Sequence, residues 1–162
     1  MNKVDALVIS NIRGIGNKSQ VALFKFCESH DITSIEELKT YDLTKAPSLK
    51  RTVKPLLSFL NEENFVPLRD SVCEKLDQWD YLSIEVIVYG TTEYPPQLMQ
   101  LEDPPTFLFC KGNKSLLTSL KSIAVVGTRE NTRIGELIAT KTVSNFVSNG
   151  FCIVSGLAIG ID

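Results

Sequence analysis

The sequence predicts an α/β chain in two parts, a small all-α domain over residues 1–80 and a parallel strand–helix–strand unit within residues 81–162. Three observations carry that reading. Apolar residues recur at three- and four-residue spacing as far as Trp79. From Leu82 onward they gather in short runs rich in β-branched residues, as strands require. Two of those runs, Ser122-Ile123-Ala124-Val125-Val126 and Phe151-Cys152-Ile153-Val154, bracket one amphipathic stretch, and continuous apolar runs of this kind are typical of buried parallel strands.

The elements follow in order. Residues 4–10 and 19–28 are short helical runs joined by Asn11-Ile12-Arg13-Gly14-Ile15-Gly16-Asn17-Lys18, where two glycines flanking one apolar residue suit a tight turn. Ser34 with Glu37 three residues on has the form of a capping box and starts another helix. Pro47 and Pro55 punctuate the next stretch. Leu56, Leu57 and Leu60 give a short helix after them, and Val72, Leu76 and Trp79 a further one. Ile84, Val86 and Val88 mark a strand, and residues 106–110 a second, closed by Gly112-Asn113. Residues 133–149 form the crossover helix, with Ile138, Ala139, Thr142, Val143, Phe146 and Val147 on one face and Glu136, Thr140, Lys141, Ser144 and Ser148 on the other. Gly150 suits its C-terminal cap.

Composition narrows the function classes. With 43% hydrophobic and 22% charged residues the 162-residue chain is globular rather than disordered or collagen-like. No apolar stretch approaches the roughly 18–20 residues of a membrane span, and the first ten residues do not form a signal peptide, so a cytoplasmic protein without a membrane partner is expected. Cys27, Cys73, Cys110 and Cys152 are widely spaced and His30 is the single histidine, a pattern that argues against a zinc site. The cysteines are expected to be mostly buried small hydrophobes in a reducing compartment. Trp79, Phe24 and Phe26 are expected in the core, and His30 on the surface after a helix. Charge is uneven: residues 1–110 carry 11 Lys+Arg against 16 Asp+Glu, and residues 111–162 carry 6 against 3. The basic set is Lys111, Lys114, Lys121, Arg129, Arg133 and Lys141, which is either a polyanion-binding face or a solvated surface.

In open parallel sheets ligands gather beyond the carboxyl ends of the strands. Two loops leave such ends: Gly127-Thr128-Arg129, and Ser155-Gly156-Leu157-Ala158-Ile159-Gly160-Ile161-Asp162. Gly127 permits close approach of a ligand, Thr128 offers a hydroxyl, and Arg129 supplies a planar donor fork suited to phosphate. Small residues in the second loop can turn backbone N–H groups toward an anion. By spacing alone the same residues also fit ordinary tight turns with a surface arginine. There is no Walker Gly-Lys-Ser/Thr and no Gly-x-Gly-x-x-Gly, so no cofactor is expected.

These two blocks resemble the signature blocks of the DNA-processing protein A (DprA/Smf) family. Tyr94-Pro95-Pro96-Gln97-Leu98, Asp103-Pro104-Pro105 and Leu108-Phe109-Cys110-Lys111-Gly112 match that family's order and spacing as well; Glu93 stands where the family commonly has Asp. The resemblance covers residues 80–162 strongly and the helical front loosely. It implies a Rossmann-like parallel sheet, here truncated after its second central strand, preceded by a helix-hairpin-helix (SAM-like) domain. It further implies a bacterial protein that binds single-stranded DNA and helps load a RecA-type recombinase in transformation, competence and recombination. In the family the arginine corresponding to Arg129 sits in a phosphate pocket lined by the second block. On that resemblance Gly127, Thr128, Arg129, Ser155, Gly156, Leu157, Ala158, Gly160 and Asp162 are the expected phosphate-binding residues. The family's chain continues past this Asp, and its homodimer and recombinase surfaces lie in that further part.

Residues 12–18 resemble a helix-hairpin-helix turn, which makes Gly14, Gly16 and Lys18 candidate phosphate contacts, with Arg13 assisting. Degenerate turns of this kind also serve as plain helix connectors. The acidic balance of that domain (Glu36, Glu37, Asp42, Glu62, Glu63 and Asp70) argues against a wide DNA footprint. The competing functional class is a nucleotide-binding enzyme or sensor of phosphoribohydrolase type. Its Pro-Gly-Gly-x-Gly-Thr-x-x-Glu block is absent, and only Glu130 and Asp162 stand near the rim as acids. No catalytic constellation is visible, so an enzyme is not expected.

Overall fold

The computed structural model describes residues 1–60 and 65–162. They form two compact units, Met1–Lys114 and Ser115–Asp162. Glu62 and Glu63, counted above in the acidic balance, lie outside the described residues.

The first unit opens with α1 (Lys3–Ser10), whose Asn2 cap accepts the Asp5 amide at 2.9 Å. Its stretch Asp5-Ala6-Leu7-Val8-Ile9 is buried throughout, so α1 is the central helix. The acid inside it is fully satisfied. Asp5, 0% exposed, accepts the Ile35 amide at 2.9 Å and the Asn2 side-chain amide at 2.8 Å, and pairs with Arg69 at 2.6 Å. One carboxylate thereby joins α1 to α3 (Ile35–Leu38) and α5 (Phe65–Tyr81). Helix α2 (Asn17–Ser29) buries Val21, Leu23, Phe24 and Cys27. Of the two turn glycines only Gly14 has positive φ, at 93°; Gly16, at φ −81°, is the N-cap of α2.

The capping box at Ser34 is present with its return arm displaced. Ser34 accepts the Glu37 amide, but the Glu37 carboxylate takes mainly the Thr33 amide (2.6 Å) and the Thr33 hydroxyl, with the Ser34 amide a lesser partner. Pro55 does not interrupt the chain as expected. It lies inside α4 (Lys50–Leu60), which therefore begins six residues before the predicted helix at 56. The proline forfeits one helical hydrogen bond. Its ring packs where a Cβ on Gly14 would stand, 3.6 Å away.

Helix α5 delivers the chain through Ser83, at φ 56°, into β1 (Ile84–Val88). Strand β1 pairs antiparallel with β2 (Phe107–Lys111), matching Ile84 to Lys111, Val86 to Phe109 and Val88 to Phe107. The connection carries α6 (Pro96–Met99) and the buried Tyr94, whose hydroxyl donates to the Pro105 carbonyl at 2.7 Å. The boundary expected at residue 80 thus falls later. Strand β1 lies against α1 and α5, buries Val86, Ile87 and Val88 there, and keeps residues 81–114 with the helices.

The second unit is the predicted α/β part. Strand β3 (Ser122–Ala124) and β4 (Cys152–Val154) are parallel, with Ile123 opposite Ile153, and α7 (Arg133–Ser148) joins them. The ladder extends at each end through Cys152 N–H to the Lys121 carbonyl and Val125 N–H to the Val154 carbonyl. No described residue of this unit is buried. Gly135, Ala139, Val143 and Phe146 are the half-buried residues of α7, whereas Ile138 and Val147, assigned to the same face above, are 61% and 54% exposed. Two strands set about 5 Å apart cannot cover an apolar stripe on a helix roughly 10 Å across.

The cysteines divide differently from the expectation. Cys27 is buried and free, and burial pushes its thiol up to about 11; Cys73 is exposed, and Cys110 and Cys152 are half-buried. Phe24 is in the core as expected. Phe26 and Trp79 are only half-buried, and Phe26 stacks on the exposed His30 at 4.1 Å. Among the described residues no helix is long and apolar enough to cross a membrane.

Candidate functional site

The loops that leave β3 and β4 meet. Gly127 N–H donates to Asp162 Oδ1 at 2.8 Å, and Ile161 N–H donates to the Thr128 carbonyl at 3.2 Å. The fit is close enough to require glycine twice. A Cβ on Gly127 would stand 2.5 Å from the Ile161 Cβ. A Cβ on Gly160 would fall on the Thr128 carbonyl oxygen and 2.7 Å from the Arg129 Cα, and Gly160 also has φ 110°. A Cβ on Gly156 would stand 3.1 Å from the Asp162 carboxylate, tight but short of a clash. Gly127, Thr128, Arg129, Gly156, Gly160 and Asp162 are therefore one interlocked rim at the carboxyl ends of the parallel strands.

Individual roles differ from the expected ones. The Thr128 hydroxyl is engaged within its own turn, accepting the Glu130 amide at 3.2 Å. Asp162 ties the two loops together through Gly127 and so fixes the rim's shape rather than offering a donor. Ser155 accepts the Leu157 amide at 3.4 Å. Leu157, at φ 52°, holds a left-handed conformation unusual for a leucine and is 93% exposed. Ala158 is exposed and makes no hydrogen bond among the described residues. Arg129 is exposed as well, and among the described residues its guanidinium has no carboxylate or carbonyl partner. A guanidinium beside a glycine turn is a planar donor fork of the kind that phosphate oxygens accept.

A cleft of about 410 Å³ lies next to this rim and shares Ser155, Leu157, Gly160 and Asp162 with it. Its other walls include Ala139, Val143 and Ile153, and its charged lining is Glu136 and Asp162. Two carboxylates without a cation repel phosphate, so the anion chemistry belongs to the Arg129 side of the rim, outside the cleft. Gly127, Thr128, Arg129, Gly156 and Ala158 stand outside the cleft.

The basic set is unequal too. Lys114 bridges Glu85 at 2.7 Å and Glu93 at 2.5 Å, bonds that raise the lysine above its ordinary range and lower Glu93. Lys121, Arg133 and Lys141 make no such pair among the described residues.

The turn at residues 12–18 is committed elsewhere. Asn17 donates to Asp103 (2.6 Å) and to the Pro104 carbonyl (2.8 Å), and accepts the Thr106 amide (3.1 Å). Lys18 stands 3.8 Å from Glu102. Gly14 packs toward Pro55. With Glu102 and Asp103 against it, this turn is a docking point for the segment before β2. Sequence reasoning overlooked Ile161, which fills the space opposite Gly127; an apolar residue beside the terminal acid of a glycine loop was the available signal.

Together, a parallel β3–α7–β4 unit and loops interlocked on the ligand rim define a Rossmann-like α/β protein, here with a helical unit ahead of it. A family model described as DNA recombination-mediator protein A matches residues 85–162. Residues 85–162 belong to the DNA-processing protein A (DprA/Smf) family. It is 34% identical over 123 residues to the DNA processing protein DprA of Bacillus subtilis (strain 168), covering 76% of this chain and 37% of that relative. It is 29% identical over 161 residues to Protein Smf of Borreliella burgdorferi, covering 96% of this chain and 46% of the relative. The X-ray structure of DNA processing protein A (DprA) from Streptococcus pneumoniae superposes with a TM-score of 0.64 at 22% identity, covering 100% of this chain and 51% of that one. That likeness shows the fold. The chain spans about half the length of these relatives or less.

Proposed function

We propose that this chain supplies a single-stranded DNA-binding rim to a DNA-processing protein of the DprA/Smf type, and that the whole protein passes such strands to a RecA-type recombinase during DNA uptake and recombination. The observation that carries the binding reading is the Arg129 guanidinium, without a partner among the described residues, on a rim locked by Gly127, Gly160 and Asp162. Unpaired DNA presents closely spaced phosphates that such a rim tracks with little sequence preference. Exposed Leu157 and Ile159 on the same loop offer apolar surface to neighbouring bases. Recombinase loading and self-association are drawn from family membership alone. Binding rather than bond cleavage is the activity proposed, because Asp162, one of the two acids nearest the rim, is committed to the Gly127 amide.

Arg129→Ala tests the reading. Losing one charge-assisted contact of roughly 1.5–3 kcal/mol should weaken binding of an oligothymidylate by about 10-fold or more, with the melting curve unchanged. Salt separates the two ligand classes. A strand neutralised at several phosphates gives a log–log salt slope of about −0.7 per contact, whereas a mononucleotide gives a slope shallower than about −1.5.

A further inference from the structure

The first unit carries an aromatic groove. Trp79 of α5 and Phe109 of β2 meet edge to face, with ring centroids 4.9 Å apart. With Leu7, Val72 and Phe107 they bound a groove of about 250 Å³. Phe109 keeps 56% of its surface exposed and Trp79 is only half-buried. Two rings in contact and left partly open form a contiguous apolar patch, the kind of surface a ligand covers.

The polar groups at the groove say which ligand. They are Ser10, Asn11 and Lys75. Asn11 spends its Nδ2 on the Leu7 carbonyl at 2.8 Å, which leaves Oδ1 as an acceptor. Lys75 makes no ion pair among the described residues. At 100° per residue, Lys75 stands roughly 40° round the helix from Trp79, whereas Asp70, Glu74, Asp77 and Asp80 stand roughly 100–180° away. Strand alternation places Lys111 on the same face of β2 as Phe107 and Phe109. The unit as a whole is acidic, with 13 Lys+Arg against 16 Asp+Glu, yet no acid lines this groove. An aromatic wall, oxygen acceptors and an ammonium without an ion pair among the described residues together match one chemistry: a ring face, a base-edge N–H and a phosphate.

We propose that the groove between α5 and β2 holds a base of single-stranded DNA against Trp79 and Phe109, with a phosphate of that strand on Lys75. The inference rests on the strand-binding reading above and adds a base contact to it. Trp79 is the single tryptophan of the chain, so its emission reports on the groove alone, while the anisotropy of an end-labelled strand reports on binding anywhere. Unlabelled oligothymidylate should quench Trp79 emission saturably. An abasic strand of equal length should bind without quenching. Phe109→Ala should weaken oligothymidylate binding about 5-fold or more, and Lys75→Gln, an exposed substitution that leaves packing untouched, about 2–3-fold.

Four results discriminate. Rising anisotropy with unchanged Trp79 emission, and affinity indifferent to Phe109→Ala and Lys75→Gln, overturns the groove and leaves the rim standing. Equal quenching by the abasic strand also overturns it. Quenching that keeps the same midpoint in Arg129→Ala but is lost in Phe109→Ala supports the groove and removes the rim. No anisotropy change with any strand overturns both.

Discussion

At the scale of single residues, two kinds of commitment decide what this chain does. Arg129 is uncommitted, whereas Lys114 is held by Glu85 and Glu93 and Lys18 lies beside Glu102. Counting charges cannot separate these cases; only the partner does. Asp5 shows the structural version. It is buried and joined to Ile35, Asn2 and Arg69, so Asp5→Ala leaves a buried amide and a guanidinium unanswered and should cost about 2–4 kcal/mol in chemical denaturation. Gly160→Ala puts a methyl group on the Thr128 carbonyl and strains φ. It should destabilise the rim by roughly 2 kcal/mol or more and abolish strand binding, read as faster amide exchange at residues 127–129.

At the scale of elements, helix starts were the most legible part of the sequence because caps are local chemistry. Ser34 and the glycine turn both lie where the residue types put them. The Ser34 cap also gives a pH prediction. Bonds from the Thr33 amide and hydroxyl hold the Glu37 carboxyl below its ordinary range. A lowered folded-state value means the contribution is fully present above the unfolded value, about 4.3, and fades as pH falls through the folded one. Glu37→Gln should therefore flatten the loss of stability below about pH 4.5, measured by denaturation at stepped pH. Pro55 was misread because a proline reads as a break, whereas α4 continues through it at the loss of one helical hydrogen bond. The face of α7 was misread for a related reason: periodicity shows which residues are apolar, not how wide a sheet lies beneath them.

At the scale of the whole molecule, the two-part α/β organisation was legible, but the boundary near residue 80 was not. A change from helical to strand texture marks a change of element, and β1 shows its first strand returning to pack on α1 and α5. Both glycine blocks of the candidate site were legible as loops at strand ends. Their interlocking was not, since it depends on Ile161 and Asp162 reaching back to Gly127 across 35 residues of sequence. In the second unit no described residue is buried, and Ile134, Leu137, Ile138 and Val154 are exposed. That unit should accordingly exchange its amides faster than the first, whose core holds Ile9, Leu23, Ile35 and Leu56.

The central claim is that a free guanidinium on the interlocked rim grips the phosphates of an unpaired strand. Titrating an end-labelled oligothymidylate with the parent chain and with Arg129→Ala, each checked by thermal melting, tests it most directly. The account predicts that the variant melts as the parent does and binds about 10-fold more weakly or worse. A variant that stays folded and binds equally well would contradict it.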